Sequence, residues 1–461
     1  MKSSRKSFTM VKSKNCKRRN RYGKKNIDWS SIGFAYMPTD YRYVSNFKDG
    51  KWDEGTLSTD PNIVLNECAG VLQYSQSVFE GLKAYTTEDG HIVTFRPDLN
   101  AERMAASAAR LEMPVFPKER FIDAVEQVVK ANAAWVPPYG SGATLYLRPY
   151  MFGSNAVIGV KPADEYQFRI LTTPVGPYFK GGAKPITIRV SDYDRAAPCG
   201  TGNIKAGLNY AMSLHAIVDA HKQGFDENMY LDPKTRTKVE ETGGANFIFV
   251  TKDGKVVTPK SDSILPSITR RSLIYVAKEY LGLEAEEREV YFDEVKDFAE
   301  CGLCGTAAVI SPVGKINDHG KEICFPSGME KMGPVIQKLY DTLTGIQMGR
   351  IEAPKMDPRN RVITGFSSLY ITLSTKNRPP YFFRWSVFYY FFIVFLYKAG
   401  ILILLYDLCS HYLSFLSYFT NAYSRSKYVC SSLSAVISQS GSSSRFGKYA
   451  SASYAKSIFV T

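Results

Sequence analysis

Gly200-Thr-Gly-Asn-Ile-Lys205-Ala-Gly-Leu-Asn-Tyr210 is the segment from which the architecture of this 461-residue chain is inferred. It places one lysine in a glycine-rich turn, directly before a helix that we predict over Leu208–Gln223. Glycine permits close approach of the backbone to a ligand, and a lysine amine can form an imine with a carbonyl-bearing cofactor. The same pattern is typical of a solvated surface lysine, so the flanking sequence has to distinguish the two interpretations.

Upstream of this segment, short strands alternate with two helices, a pattern typical of an α+β domain. One helix is predicted over Asp98–Met113 with Asp98 as its N-cap, and a second carries apolar residues at helical spacing from Phe121 to Val129. The predicted strands are Ile63–Leu65, Val71–Gln73, Leu82–Tyr85, Ile92–Phe95, Thr144–Tyr150 and Gln167–Thr173, and residues 87–90 are a predicted hairpin turn.

Downstream of residue 173, a stretch rich in Gly and Pro at residues 174–182 is a predicted linker, and a second region follows over residues 183–355. Its predicted strands are Ile186–Val190, Asn228–Leu231, Asn246–Val250, Val256–Thr258 and Ala307–Pro312. Its further predicted helices are Ser267–Leu281, Asp293–Glu300 and Pro334–Thr344. The sequence therefore predicts a small α+β domain over residues 26–173 and a large domain over residues 183–355.

Charge separates the two ends of the chain from its body. The formal net charge is +14, but residues 1–25 carry 11 Lys/Arg without Asp/Glu and residues 356–461 carry a net +9, which leaves −6 on residues 26–355. A mildly acidic body argues against nucleic acid as a partner. We expect the basic leader, residues 1–25, to be disordered; it has no secretory signal, although a basic, acid-free stretch is also typical of an organelle transit peptide.

The composition changes at Met356, where an atypical tail begins. Residues 381–408 are dominated by large apolar side chains, and Ser/Tyr-rich sequence follows to residue 461. About 20 apolar residues can span a bilayer, so a non-catalytic, membrane-associated protein built around this segment is one interpretation. We favour the alternative of a non-native tail, for example from a reading-frame change, and expect no membrane partner.

Cysteine usage indicates a reducing compartment, because eight scattered cysteines do not make the dense disulfide framework of small secreted domains. Cys301 and Cys304 form a lone CxxC pair, without a second pair or nearby histidines. We interpret them as small residues beside a tight turn, and we expect no metal site.

Besides the Lys205 turn, the chain carries a series of motifs in a distinctive order and spacing. They are Phe79-Glu-Gly-Leu-Lys-Ala-Tyr85, Phe95-Arg-Pro-Asp-Leu-Asn-Ala-Glu-Arg-Met104, Leu145-Tyr-Leu-Arg-Pro149, Pro174-Val-Gly-Pro-Tyr178, Val239-Glu-Glu-Thr-Gly-Gly-Ala-Asn-Phe247, Ile264-Leu-Pro266 and Cys304-Gly-Thr-Ala-Ala308. Together they resemble the branched-chain amino-acid aminotransferases, which are fold-type-IV pyridoxal-phosphate enzymes, from about Lys25 to about Lys355. The resemblance implies an α+β, two-domain, D-amino-acid-aminotransferase-like fold, in which residues 183–355 form the large, cofactor-binding domain.

The resemblance also implies how pyridoxal 5'-phosphate would be bound. Lys205 would hold the cofactor as a Schiff base and transfer the substrate proton, and Tyr210 would lie near the ring hydroxyl. Glu241 would pair with the pyridine nitrogen; Glu240 is the neighbouring alternative, and only one of the two should face the ring because successive strand residues point to opposite faces. The phosphate would be bound by the Arg103 and Thr306 side chains and by the backbone amides of Ile268 and Thr269.

On the substrate side, the resemblance implies an apolar pocket with aromatic walls from Phe79, Tyr146 and Tyr178, and with Tyr74 of the second subunit of a homodimer. Arg148 would lie near the carboxylate of glutamate, and the backbone of Ala307 and Ala308 would receive the α-carboxylate of the substrate.

Two departures from the family pattern qualify this picture. The family commonly has a hydroxyl residue where Gly244 stands, which puts that contact with the carboxylate in doubt. Mammalian relatives carry a redox CxxC at the positions of Ala308 and Ser311, so no thiol switch is expected there.

The expected activity is transfer of the amino group of Leu, Ile or Val to 2-oxoglutarate, in a cytoplasmic enzyme of amino-acid biosynthesis. The near alternatives within fold type IV are a D-amino-acid transaminase and aminodeoxychorismate lyase. The pair Tyr146 and Arg148, together with the run from Phe79 to Tyr85, favours the branched-chain interpretation.

Overall fold

A computed structural model describes residues 23–176, 184–353 and the backbone of 360–362. These residues belong to one compact unit, which extends to Ser367. The leader up to residue 22, Tyr178 with most of the linker, and the tail from residue 363 lie outside the described residues. The proposed division at the linker stays a prediction. Among the described residues, no helix is both long and apolar enough to cross a membrane.

Nine strands of the described residues form the first sheet, in which all neighbours run antiparallel. They are β1 (Arg42–Lys48), β2 (Lys51–Trp52), β3 (Thr56–Ser58), β4 (Ser77–Phe79), β5 (Leu82–Thr86), β6 (Ile92–Phe95), β7 (Thr144–Gly153), β8 (Tyr166–Val175) and β17 (Asn360–Val362). The order is β17-β6-β5-β7-β8-β1-β2, with β3 beside β1 and β4 beside β7. Residues of β4 and β7 contribute to the walls of the cavities described below.

Helices α2 (Pro97–Arg110) and α3 (Lys118–Ala131) pack against this sheet, and α1 (Gly70–Tyr74) is a short helix before β4. α3 buries Phe121, Val125 and Val128, which recur at the spacing that places residues on one helical face. α2 starts with Pro97, whose fixed φ suits the first helical turn.

The second sheet contains eight strands of the described part of the chain. They are β9 (Ile186–Val190), β10 (Glu227–Met229), β11 (Asn246–Val250), β12 (Val256–Pro259), β13 (Ala285–Arg288), β14 (Glu300–Gly305), β15 (Val309–Asp318) and β16 (Lys321–Cys324). The order is β10-β9-β15-β14-β11-β12-β13, with β16 beside β15. The pairs β9/β10, β9/β15 and β12/β13 are parallel, and the others are antiparallel.

Both faces of the second sheet are buried, which explains the continuous apolar run in β11. Phe247 and Phe249 join the hydrophobic core on one face, whereas Ile248 and Val250 join the core on the other. Helices α5 (Ile268–Glu279) and α6 (Pro334–Gln347) cover that second face. Helix α4 (Gly207–Lys222) follows the Lys205 turn and contacts β4 and β10.

Several local predictions are wrong. Residues 63–65 are not in a strand, and 71–73 belong to helix α1; runs of three residues are too short for a two-residue period to be told from a helical one. Asp98 lies in the first turn of α2, where Arg96 is the N-cap with φ 51°. The helix predicted over 293–300 is a 3₁₀ helix, Phe292–Asp297, followed by β14.

The cysteine pair lies in the buried strand β14, which ends in the turn over residues 306–308. Cys301 joins the core on one face of the sheet and Cys304 the core on the other, as the odd spacing in a strand requires. Both are free thiols, and burial raises the pKa of Cys304 to about 12. Within the described residues, no group of His, Cys, Asp and Glu could hold a metal ion.

Candidate active site

Two adjoining cavities, of about 1010 Å³ and about 60 Å³, share Lys205, Tyr210 and Tyr146 in their walls. The smaller is lined mostly by polar and charged groups, which include Arg103, Glu241 and Thr306. The larger is mostly apolar. A polar recess that opens into an apolar chamber is typical of a site that binds a charged cofactor beside an apolar substrate.

The Lys205 turn is fixed from both sides by backbone hydrogen bonds. The Lys205 amide donates to Ser107 Oγ at 3.0 Å, and its carbonyl accepts from the Phe79 amide at 3.0 Å. Its Nζ donates to the Tyr210 hydroxyl at 2.8 Å and lies 4.7 Å from the centroid of the Phe79 ring. The amine is therefore held at the junction of the two cavities and is not a solvated surface group. Glycine is required at 202, where a Cβ would lie 2.7 Å from Arg195 Nη2.

Glu241 reaches the small cavity with both carboxylate oxygens engaged. Oε2 accepts from Asn246 Nδ2 at 2.6 Å, and Oε1 accepts from the Leu265 amide at 2.9 Å and lies 2.9 Å from Arg195 Nη2. Burial raises the pKa of Glu241 to about 7, although Arg195 opposes the shift. Glu240 does not line either cavity, and its Oε1 accepts from Ser261 at 3.1 Å. The two acids thus face in different directions.

Arg103 lines the small cavity, but its guanidinium fork is already occupied. Nε and Nη2 donate to the two oxygens of Glu80 at 2.8 and 2.7 Å, and Nη1 donates to the Pro266 carbonyl at 3.1 Å. Burial opposes the charge of Arg103, but the ion pair with Glu80 outweighs it, so the pKa of Arg103 is raised. Two arms of the guanidinium that the resemblance assigns to a phosphate are thus bound to Glu80, and Nη1 is the arm nearest the start of α5.

The start of α5 lies beside Arg103. Ser267 is its N-cap, lines the small cavity, and accepts from the Arg270 amide at 3.2 Å. Ile268 and Thr269 are the first two helical residues, so their amides have no acceptor within the helix and lie at the positive end of its dipole. Ser267 and Thr306 line the small cavity, whereas Ile268 and Thr269 are not among its lining residues. The start of α5 thus borders the cavity through Ser267, a position suited to an anion.

The large cavity brings together most of the residues predicted to contact the substrate, namely Phe79, Tyr146, Arg148, Ala307 and Ala308. Arg148 Nη2 donates to the Tyr146 hydroxyl at 3.2 Å, and its guanidinium carbon lies 4.7 Å from the centroid of the Phe79 ring. The two alanines lie in the turn between β14 and β15.

Tyr74 is not brought into the cavity of its own chain. It lies at the end of α1, is 38% exposed, and donates its hydroxyl to the Ile158 carbonyl. Tyr178 lies outside the described residues.

Sequence reasoning missed three buried charged residues around the site: Glu80, Lys83 and Arg195. Glu80 pairs with Arg103, and Arg195 pairs with Glu241. Lys83 donates to the Ala307 carbonyl at 2.6 Å. Glu80 and Lys83 interrupt the otherwise buried apolar run Val78–Tyr85, and a charged residue within such a run is a signal that could have identified them.

Comparison with known proteins gives consistent results. A family model described as amino-transferase class IV matches residues 77–316. The branched-chain-amino-acid aminotransferase of Haemophilus influenzae is 55% identical over 336 residues, which cover 72% of this chain and 98% of that protein. The branched-chain-amino-acid aminotransferase of Helicobacter pylori is 48% identical over 332 residues, which cover 72% and 96%.

Solved structures are similar as well. The branched-chain amino acid aminotransferase of Escherichia coli is 27% identical with a TM-score of 0.59, and the match covers 71% of this chain and 100% of that one. The T.th. branched-chain amino acid aminotransferase with pyridoxamine 5'-phosphate is 25% identical with a TM-score of 0.60, and the match again covers 71% of this chain and 100% of that one.

Proposed function

Because the chain belongs to the branched-chain-amino-acid aminotransferases of the class IV family, we propose that it transfers the amino group of Leu, Ile or Val to 2-oxoglutarate with pyridoxal phosphate as its cofactor. The products are the branched 2-oxo acid and glutamate. The observation that carries the proposal is the Lys205 amine, held at the junction of a polar and an apolar cavity beside Tyr210.

The polar groups around the small cavity are of the chemical types that this cofactor requires. Arg103 Nη1, Thr306 and the first amides of α5 suit a phosphate, and the buried acid Glu241 suits a protonated ring nitrogen. Asn246 Oδ1 is buried without a hydrogen-bond partner among the described residues, so the wall retains an acceptor as well. Lys205 stands between these groups with its amine directed into the cavity.

When bound, pyridoxal phosphate supplies a conjugated ring that accepts the electron pair left by breaking the Cα–H bond of the substrate. Glu241 would pair with the protonated ring nitrogen, which would favour its charged form, and Arg195 holds the carboxylate in place at 2.9 Å. Lys205 removes and returns the substrate proton at its Nζ, with the Tyr210 hydroxyl 2.8 Å away to orient the amine.

The large cavity explains the choice of substrate in this proposal. The apolar side chain of the amino acid packs against Phe79 and Tyr146, where one methylene changes the binding free energy by about 1–3 kcal/mol. The backbone amides of Ala307 and Ala308 bind the α-carboxylate. Arg148 binds the second carboxylate of 2-oxoglutarate, which an aliphatic substrate lacks.

We further propose a homodimer, in which Tyr74 reaches the cavity of the second subunit. Apolar side chains beside it are exposed: Ile158, whose carbonyl Tyr74 contacts, is 78% exposed, and Leu72 of the same helix is 59% exposed. A second copy of the chain would cover such a surface. A cytoplasmic location is also proposed, since the cysteines of the described residues are free thiols.

Substitution of Lys205 tests the proposal. Purified Lys205→Ala should keep its fold but lose the absorbance of the covalently bound cofactor, and turnover of leucine with 2-oxoglutarate should fall at least about 10²–10⁴-fold. Lys222→Ala, at the exposed end of α4, is the control and should behave as wild type. Undiminished turnover in Lys205→Ala would refute the assignment.

A further inference from the structure

Lys83 on β5 is a buried cation that no role assigned above uses. Its side chain is 7% exposed, and it has no acidic partner within ion-pairing distance among the described residues. Its Nζ donates to the Ala307 carbonyl at 2.6 Å. Burial of a charge is costly unless something favours it, and burial lowers the pKa of Lys83 to about 8, so the amine is still mostly protonated near neutral pH.

The strand register directs Lys83 to the side of the sheet that faces the active site. Lys83 pairs directly with Tyr146 of β7, and directly paired residues of antiparallel strands project to the same face. Tyr146 lines both cavities. Lys83 therefore contacts the Thr306–Ala308 turn on the side that faces away from the large cavity, and it does not itself line the cavity.

The acceptor of this hydrogen bond matters because a peptide group is planar and trans. The carbonyl of Ala307 and the amide N–H of Ala308 belong to one peptide plane and point in opposite directions. A donor that holds the carbonyl on one side of the turn thus directs the Ala308 N–H toward the other side, where Ala308 lines the large cavity. A charged donor also polarises the peptide, which strengthens its N–H as a donor.

We propose that Lys83 is a positioning residue for substrate recognition, which fixes and polarises the Ala307–Ala308 peptide so that the Ala308 amide binds the carboxylate of amino-acid and 2-oxo-acid substrates. This inference rests on the proposed function, in which that amide receives the α-carboxylate. The unpaired ammonium adds a positive potential behind the same peptide, which the substrate carboxylate partly neutralises.

The test compares two ligands that differ in the carboxylate alone. Calorimetric titration of the full-length, cofactor-loaded protein with 4-methylvaleric acid and with 4-methyl-1-pentanol measures each dissociation constant. Lys83→Met removes the charge and the donor at nearly constant volume. We expect it to weaken binding of the acid at least about tenfold and to leave binding of the alcohol unchanged. KM for leucine should rise more than kcat falls.

Other variants separate positioning from general structure. Lys83→Arg keeps charge and donor and should bind the acid as wild type does. If Lys83→Met does not retain the cofactor, Lys83→Gln takes its place, and its uncharged amide donor should give a smaller but selective loss. Unchanged affinity for the acid, or equal losses for acid and alcohol, would overturn the inference. If wild type holds no cofactor, the proposed function fails first.

Discussion

Replacing Glu241 by Gln removes the negative charge next to the proposed ring nitrogen while keeping the shape of the side chain. The change should be tolerated structurally. The Gln carbonyl can keep the hydrogen bonds from the Leu265 amide and Arg195, and its amide can donate to Asn246 if that side chain flips. Asn246 Oδ1, now without a partner in the described structure, then gains one. We therefore expect a folded protein whose cofactor ring is a weaker electron sink.

The magnitude follows from the interaction that is lost. A hydrogen bond to a charged group contributes about 1.5–3 kcal/mol, so kcat for leucine and 2-oxoglutarate should fall about 10- to 100-fold, with a smaller effect on KM. The assay is steady-state turnover with cofactor in excess. Glu240→Gln is the matched control, because Glu240 is equally buried, lies next in sequence and has one carboxylate oxygen without a partner. Similar losses in both variants, or none in Glu241→Gln, would refute the assignment of Glu241.

Three further outcomes are expected. Gly202→Ala should lower the free energy of unfolding by about 1–3 kcal/mol, because its Cβ would meet Arg195 and the Ser263 carbonyl. It should also reduce cofactor loading. Chemical denaturation measures the loss of stability. Gly244→Ser should lower KM for leucine about two- to tenfold. No atom lies within 4 Å of the new Cβ, and the added hydroxyl would face the cavity. An unchanged KM would argue against binding of the substrate carboxylate beside residue 244. Without cofactor, the protonated Glu241 carboxyl contributes stability that is fully present below its reference pKa of 4.5 and is lost as pH rises through about 7. Thermal melts of Glu241→Gln should lack that dependence, and parallel pH profiles would contradict it.

The sequence predicts regular elements best where the hydropathy pattern follows a regular period. The bounds predicted for β9 and β11 agree with the structure, because β9 alternates apolar and polar residues and β11 is an apolar run buried on both faces. The strand β1 was not predicted, since its buried residues include Arg42 and Ser45, and hydropathy therefore gives no clean alternation. Burial of these polar groups depends on partners elsewhere in the chain.

In the site as well, features that depend on local sequence were predictable and those that depend on distant partners were not. Lys205 and Tyr210 are five residues apart, so a local motif could indicate both. The buried partners of other site residues are distant in sequence, as Lys83 is from Ala307 and Arg195 is from Glu241. Local spacing cannot reveal such pairs, because the strand pairing and the packing of the second sheet decide them. The family resemblance suggested one half of each pair, and the three-dimensional arrangement was needed for the other.

The buried cations around the cavities differ in whether they have an anionic partner. Arg103 and Arg195 each face a buried carboxylate, that of Glu80 and Glu241 respectively. Lys205, to which the proposed function assigns the cofactor, donates to a tyrosine hydroxyl. Lys83 donates to a peptide carbonyl and forms no ion pair among the described residues. A cation held in a partly buried site without an anion attracts one. In the proposed function, the carboxylate common to amino acids and 2-oxo acids would supply that charge in both halves of a transamination, whereas the apolar side chain would need only the walls of the large cavity. Such an arrangement would select for a charged head with an apolar tail before any chemical step begins.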